Sequence, residues 1–181
     1  PGYYVAEVLA DGIGVGAVTG WTFSDVSGPH TISATFSATP TYSVSGRVSG
    51  DVAEGVVLSM TGSASASTSS ASNGLYAFAG LSDGTYTGTP SREGYDFAPP
   101  SRTVSVAGGI VQDVDFAATR RTLEIVATAD AGGSIAPAGT VSVGYGDDAY
   151  FTIAADSGYR IADVKVDGSS VGTPSSYAFF N

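Results

Sequence analysis

Apolar side chains along this chain recur at every second position, in short runs cut by Gly, Pro, Asp and Asn, and helical spacing is almost missing. Such alternation predicts strands joined by tight turns. In the first forty residues, Ala6, Val8 and Ala10 are expected on one strand face, followed by an Asp11-Gly12 turn. Trp21 and Phe23 are expected on one face of the next strand, and Ile32, Ala34 and Phe36 on one face of another. Pro40 then marks a boundary.

A different pattern occupies residues 42–119. Val44 pairs with Val48 on one face, Val56 with Leu58 and Met60, Tyr76 with Phe78, Val104 with Val106, and Val114 with Phe116. The Ser, Thr and Ala run at 61–74 reads as a strand of small side chains ending in an Asn73-Gly74 turn. About seven or eight short strands in so short a segment predict a β-sandwich. After Arg120 and Arg121 a third segment begins. Leu123, Ile125 and Ala127 alternate, residues 132–139 read as a Gly/Pro turn region, and Phe151 and Ile153 alternate in the next strand. Ala162, Val164 and Val166 then repeat the spacing of Ala6, Val8 and Ala10. The expected fold is all-β, an Ig-like or transthyretin-like β-sandwich over 40–119 flanked by two partial β-repeat modules, 1–39 and 120–181.

The two flanks are copies. Residues 157–181 align on 1–25 without a gap, and nine pairs are identical: Gly2, Tyr3, Ala6, Val8, Asp11, Gly12, Val15, Gly16 and Phe23 with their counterparts. Trp21 faces Tyr177, and Glu7 faces Asp163. Register kept through loop and strand alike marks a true internal repeat. The copies are cut differently. The C-terminal one has opening strands (123–129, 150–155) that the N-terminal one lacks. The N-terminal one has a closing strand, HTISATF at 30–36, that the C-terminal one lacks. Each incomplete sheet would leave unpaired backbone and an open apolar face.

Composition narrows the function. Seven basic residues stand against 17 acidic ones, a net charge of −10. Such a chain repels phosphate backbones and anionic membrane surfaces, so nucleic acid is not an expected partner. No apolar run approaches the roughly 20 residues of a membrane span, so no membrane insertion is expected. Cys is absent, which removes disulfides and thiolate metal sites. Residue 1 is Pro and no signal peptide is visible, so a processed product or an excised segment is expected. Abundant Gly, Ser and Thr with a single Lys suits an extracellular or cell-surface life.

The terminal segments resemble a bacterial surface-protein tandem repeat. Residues 158–172 (GYRIADVKVDGSSVG) carry its first part and residues 30–36 its last. The resemblance implies small all-β modules strung in large secreted or cell-wall proteins. The middle segment resembles the carboxypeptidase regulatory-like, transthyretin-like domain, akin to B-type domains of Gram-positive adhesins. The pattern sits at Gly74, Tyr76, Phe78, Leu81, Gly84 and Tyr86. That resemblance implies a stalk or spacer. An Asp frequent in the family is Ala71 here, which puts any cap or ion role in doubt. Some adhesin relatives carry a Lys–Asn isopeptide crosslink. The middle segment holds no Lys, so that bond cannot form within it.

Catalytic chemistry has no foothold in the sequence. His30 is the sole His and begins a repeat strand. The Ser-rich run has neither nucleophile elbow nor neighbouring base. The carboxylate pairs Asp147/Asp148 and Asp113/Asp115 lack the spacing of a Ca²⁺ loop. No enzyme activity, metal or cofactor is expected. The expected role is that of a structural repeat unit of an extracellular bacterial fibre, stalk or adhesin, assembling head to tail. Its partners are copies of itself or adjacent repeats of the same chain. The expected interface draws Tyr3, Val5, Val8, Trp21 and Phe23 with Ile32 and Phe36 from the N-terminal copy, and Val164, Val166, Tyr177 and Phe179 from the C-terminal one. The alternative is a carbohydrate-binding or host-adhesion accessory module of a large secreted protein. Trp21, Tyr3, Tyr4 and Tyr159 would then stack on glycans.

Overall fold

In the computed structural model, which describes residues 2–180, every helix or strand among the described residues is a strand. Pro1 and Asn181, each at one end of the aligned repeats, lie outside the described residues. The N-terminal region forms one sheet in the order β2-β1-β3, from β1 (Tyr3–Ala10), β2 (Ile13–Gly16) and β3 (Ile32–Ala38).

Between Tyr42 and Arg120 two four-stranded sheets pack face to face. One has the order β7-β4-β11-β9, built from β4 (Tyr42–Gly50), β7 (Leu75–Leu81), β9 (Tyr95–Ala98) and β11 (Phe116–Arg120). The other has the order β10-β8-β5-β6, built from β5 (Val57–Gly62), β6 (Ala66–Ser69), β8 (Gly84–Ser91) and β10 (Arg102–Val106). The alternating residues meet between the sheets. Val44, Val48, Val56, Leu58, Met60, Tyr76, Phe78, Val106, Val114 and Phe116 are all buried, joined by Leu81, Tyr86 and Ala118. The expected all-β sandwich is therefore present.

The Ser/Thr run departs from expectation. It forms only the short β6, followed by Ser70, which is buried on the same side as Ala66 and Thr68. The Ser70 hydroxyl donates to the Ala53 carbonyl and accepts from the Val56 amide at 3.0 Å, while its own amide still donates to the Val56 carbonyl at 2.9 Å. The turn at Asn73-Gly74 forms as expected, with Asn73 Oδ1 accepting the Leu75 amide at 3.1 Å and Gly74 at φ +80°.

Tyr76 ties the two halves of its own sheet. Its hydroxyl donates to the Val114 carbonyl in the core. Burial, and then the Asp115 carboxylate, push the phenol up to about 12. A raised pKa means the fold favours the neutral phenol. This contribution is complete below the ordinary tyrosine value of about 10 and is lost as pH rises through about 12. Tyr76→Phe removes the titrating group, so the stability gap between wild type and variant should narrow from pH 9 to 12. Urea unfolding of both proteins across that range checks it, and a constant gap would refute it.

Among the described residues, the C-terminal region holds three small sheets. β12 (Thr122–Ala127) pairs with β14 (Gly139–Gly144). β13 (Gly133–Ala136), β15 (Ala149–Ala155) and β18 (Ser176–Phe179) form a second sheet in the order β13-β15-β18. β16 (Lys165–Val166) and β17 (Ser169–Ser170) make a short hairpin. The expected Gly/Pro turn region at 132–139 is a correction: it contains β13 and the start of β14, because neighbouring strands accept even Gly-rich backbone into a ladder.

Candidate functional site

The candidate site is the pair of open faces left by the two repeat copies. Start with β1. Its expected face of Ala6, Val8 and Ala10 is not the observed one. The register against β3 slips between Val5 and Glu7, so a bulge at Ala6 re-aims the strand. Val5, Val8 and Ala10 share the inward side, opposite Phe36, Ala34 and Ile32 respectively, while Ala6 is exposed. Val5, Val8, Ile32, Ala34, Phe36 and Trp21 line one shallow groove of about 440 Å³. Ile32 and Phe36 remain 58% and 64% exposed, so this apolar face is largely uncovered. Covering a side chain of this size contributes roughly 1.5–3 kcal/mol. Tyr3 stands opposite Ala38 at the far end of the strand and is exposed.

The entry into β3 is clamped by a turn. Asp11 sits at φ +51° beside Gly12 at φ +76°. Its carboxylate accepts the Thr31 amide through Oδ1 at 2.8 Å and meets His30 Nδ1 through Oδ2 at 2.8 Å. The Thr31 amide, and then His30, hold the Asp11 carboxyl below the usual carboxylate range. His30 also stacks on Phe23, with centroids 4.6 Å apart. Sequence reading took Asp11-Gly12 only as a turn. Its repetition at Asp167-Gly168 was the signal of a second duty.

The C-terminal copy shows the same local backbone with a different partner set. Asp167, Gly168 and Gly172 have φ of +48°, +80° and +86°, against +51°, +76° and +83° at Asp11, Gly12 and Gly16. Val164 exchanges backbone bonds with Val171 and Gly172, as Val8 faces Gly16. Yet the strand expected through Ala162, Val164 and Val166 is a correction, since only Lys165–Val166 is regular. The opposite correction applies to Trp21 and Phe23, whose expected strand does not form, although their counterparts Tyr177 and Phe179 lie in β18. The physical reason is common to both. β1 is regular where β3 pairs with it, and β18 is regular where β15 pairs with it. The same sequence without that partner stays irregular, because isolated strand backbone has nowhere to place its hydrogen bonds.

Inside the C-terminal copy, Phe179 packs edge-on against Phe151 at 6.0 Å and Tyr177 at 5.2 Å. These aromatics, with Ile125, Ile153, Val164 and Val166, line an open cavity of about 620 Å³. Val164, Val166, Tyr177 and Phe179 are all half-buried. Trp21, with no equivalent of Phe151 beneath it, rests on Phe23 at 6.5 Å and is 46% exposed. The interface residues expected from sequence thus fall into two groups on two separate faces, and the structure does not bring the groups together.

A second feature escaped sequence reading: the joint between sandwich and C-terminal region. Only Arg121 separates β11 from β12. Arg120 grips Asp147 with both guanidinium arms, Nη1 at 3.0 Å and Nη2 at 2.6 Å, and its Nε donates to the Tyr145 carbonyl at 2.9 Å. Tyr145 donates its hydroxyl to Glu93 at 2.5 Å and its amide to the Arg121 carbonyl at 2.8 Å. The Tyr145 ring lies so close to Gly94 that a Cβ there would strike it. Asp147, weighed in sequence as a cation ligand, is engaged by Arg120 instead, and Asp115 accepts the Arg47 amide at 2.7 Å.

No family model matches the chain, and no curated protein matches it. Among solved structures, it is similar to the Bacillus anthracis TIE protein at 14% identity and a TM-score of 0.51. That alignment covers 84% of this chain and 34% of the other, so the chain spans about a third of that protein's length. A streptococcal ancillary pilin aligns at 14% identity and a TM-score of 0.39, covering 89% of this chain and 65% of that one. A DUF3823 family protein from Parabacteroides merdae aligns at 16% identity and a TM-score of 0.37, covering 78% and 80%. At such identity the first likeness concerns the all-β fold alone, and the other two carry no weight.

Proposed function

We propose that this chain is a structural unit of an extracellular bacterial fibre, stalk or adhesin, joined head to tail through its terminal β-modules, with no catalytic turnover. One observation carries the reading: the sequence of residues 1–25 recurs at 157–181 on the far side of the sandwich, with matching turns at Asp11-Gly12 and Asp167-Gly168. Two uncovered apolar faces at opposite ends of the sequence suit end-to-end joining, which is heterologous and propagates when it does not close. A short, hydrogen-bonded joint suits a spacer that must hold its direction. The joining sequence is either a neighbouring repeat of one longer chain, the version favoured by the overlap between the copies, or a second chain. An antibody raised against residues 40–119 should label extended structures on the outside of the source cells in electron micrographs. Label confined to the cell interior would overturn the proposal.

A second reading has its own observation. Trp21, Tyr3, Tyr4 and Tyr159 are all exposed, which suits stacking on sugars. Against it, the Trp21 counterpart Tyr177 is half-buried among Phe151 and Phe179. Oligosaccharide binding that Trp21→Ala abolishes would make the glycan-binding module the better account.

A further inference from the structure

We propose that Asn73-Gly74 is a self-modifying site: it closes to a succinimide and opens to isoaspartate once β7 leaves β4, and the paired fold holds that reaction off. The chemistry does not depend on the fibre reading. Asn73 is one of two Asn in the sequence, with Asn181, and Gly74 follows it. A glycine has no Cβ to crowd the approach of its amide nitrogen to the preceding side chain. Water is the one co-reactant. The Gly74 amide loses its proton to solvent base, and its nitrogen attacks Asn73 Cγ. A nitrogen–carbon bond forms, the Cγ–Nδ2 bond breaks, and Nδ2 takes a proton from water and leaves as ammonia. Water then adds to either carbonyl of the ring. Opening at Cγ leaves aspartate. Opening at the α-carbonyl leaves isoaspartate, whose backbone runs through Cγ and is longer by one methylene.

In the fold the electrophile meets water and the nucleophile does not. Asn73 is exposed, whereas Gly74 is buried. The Gly74 amide donates to the Ala71 carbonyl at 2.8 Å. A donated N–H is harder to ionise, because the bond favours the protonated form. Asn73 Oδ1 is engaged by the Leu75 amide at 3.1 Å, which fixes the side chain over the turn. The Ala71 amide closes the turn on the Leu75 carbonyl at 2.9 Å. β4 supplies the remaining restraint. The Gly74 carbonyl accepts the Val48 amide at 2.9 Å, and a Cβ on Gly74 would strike the Val48 carbonyl. Separating β7 from β4 therefore frees the dipeptide. The isoaspartate product cannot return to the same place. Its added methylene shifts Leu75 from its position opposite Arg47, and Tyr76 from its bond to the Val114 carbonyl. The aspartate product keeps the Oδ1 acceptor and refits the turn.

The test incubates the full chain at mildly alkaline pH, in buffer and in denaturing urea, and maps the products by peptide mass. The amide-to-acid mass change at position 73 should accumulate about tenfold or more faster in urea, because only the opened state reacts. Equal rates in the two conditions overturn the proposal. Phe78→Ala weakens the β4–β7 pairing, where Phe78 stands opposite Val44, and should raise the rate in buffer about tenfold or more. Wild type in urea just below its unfolding midpoint gives the same reading without a substitution. A buffer rate that neither change raises also sinks the idea. After removal of urea, the aspartate fraction should refold as Asn73→Asp does, with β7 amides protected from exchange. The isoaspartate fraction should leave those amides unprotected. Full protection of β7 in that fraction would show that the turn absorbs the extra methylene, against the proposed block on return.

Discussion

Replacing Phe116 by alanine should remove about 3–5 kcal/mol from the stability of the sandwich. Phe116 is 1% exposed and its ring lies 6.4 Å from that of Tyr76. It opens β11, the strand that returns from the far end of the segment to lie parallel beside β4, with Phe116 opposite Val48. Truncation would open a void between Val48, Tyr76 and Val114 in a core that interdigitates from both sheets. A domain of this size is stabilised by only about 5–15 kcal/mol, so the loss is a large share of the whole. A fall in Tm of about 12 °C or more is the corresponding thermal result. Calorimetry of the full chain reads it directly, and a loss under about 1 kcal/mol would mean that β11 is not integral to the core.

The second large effect concerns direction rather than stability. Arg120→Ala should free the C-terminal region to swing about the single residue Arg121. The wild-type side chain holds one carboxylate by two parallel bonds and one carbonyl by two more. Its Asp147 partner raises an already high guanidinium pKa, so the clamp stays charged at any ordinary pH. Bidentate geometry is what distinguishes this contact from an ordinary surface ion pair, which contributes little. Lysine cannot reproduce the fork, so Arg120→Lys should behave like the alanine variant. Spin labels placed on β5 and β15 would report it. Their distance distribution should broaden about twofold or more, toward the mobility normal for linked domains. An unchanged distribution would assign the orientation to the Tyr145 contacts with Glu93 and Gly94 alone.

The sandwich was legible because its core residues are large and strictly alternating. Val44 with Val48, Leu58 with Met60, and Tyr76 with Phe78 each identify one face, and a pleated strand with two neighbours obeys that pattern. The flanks were legible as a repeat but not as structure. A bulge at Ala6 moves the inward position from Ala6 to Val5, and single-residue insertions in register leave no trace in composition. The stretch around Trp21 and the stretch around Ala162 have strand-like alternation but form strands only where a partner exists. Partner strands lie far away in sequence, so local pattern cannot report them. The joint was hidden for another reason. Arg120 reads as a segment boundary and Asp147 as half of a carboxylate pair, and nothing local links either to Glu93 until the fold collects them.

The parallel pairing of β4 with β11 has a consequence for load. These strands begin and end the sandwich, and they lie side by side in one sheet. Pulling on the chain from both directions applies force at the start of β4, near Tyr42, and at the finish of β11, near Arg120. In a parallel pair those points are at opposite ends of the shared ladder. The bonds between Val48 and Phe116, and those linking Ser43 and Ser45 to Val111, therefore lie across the line of tension. They resist as a group in shear and cannot be peeled one after another. Traction applied along the chain meets the sandwich in its strongest direction.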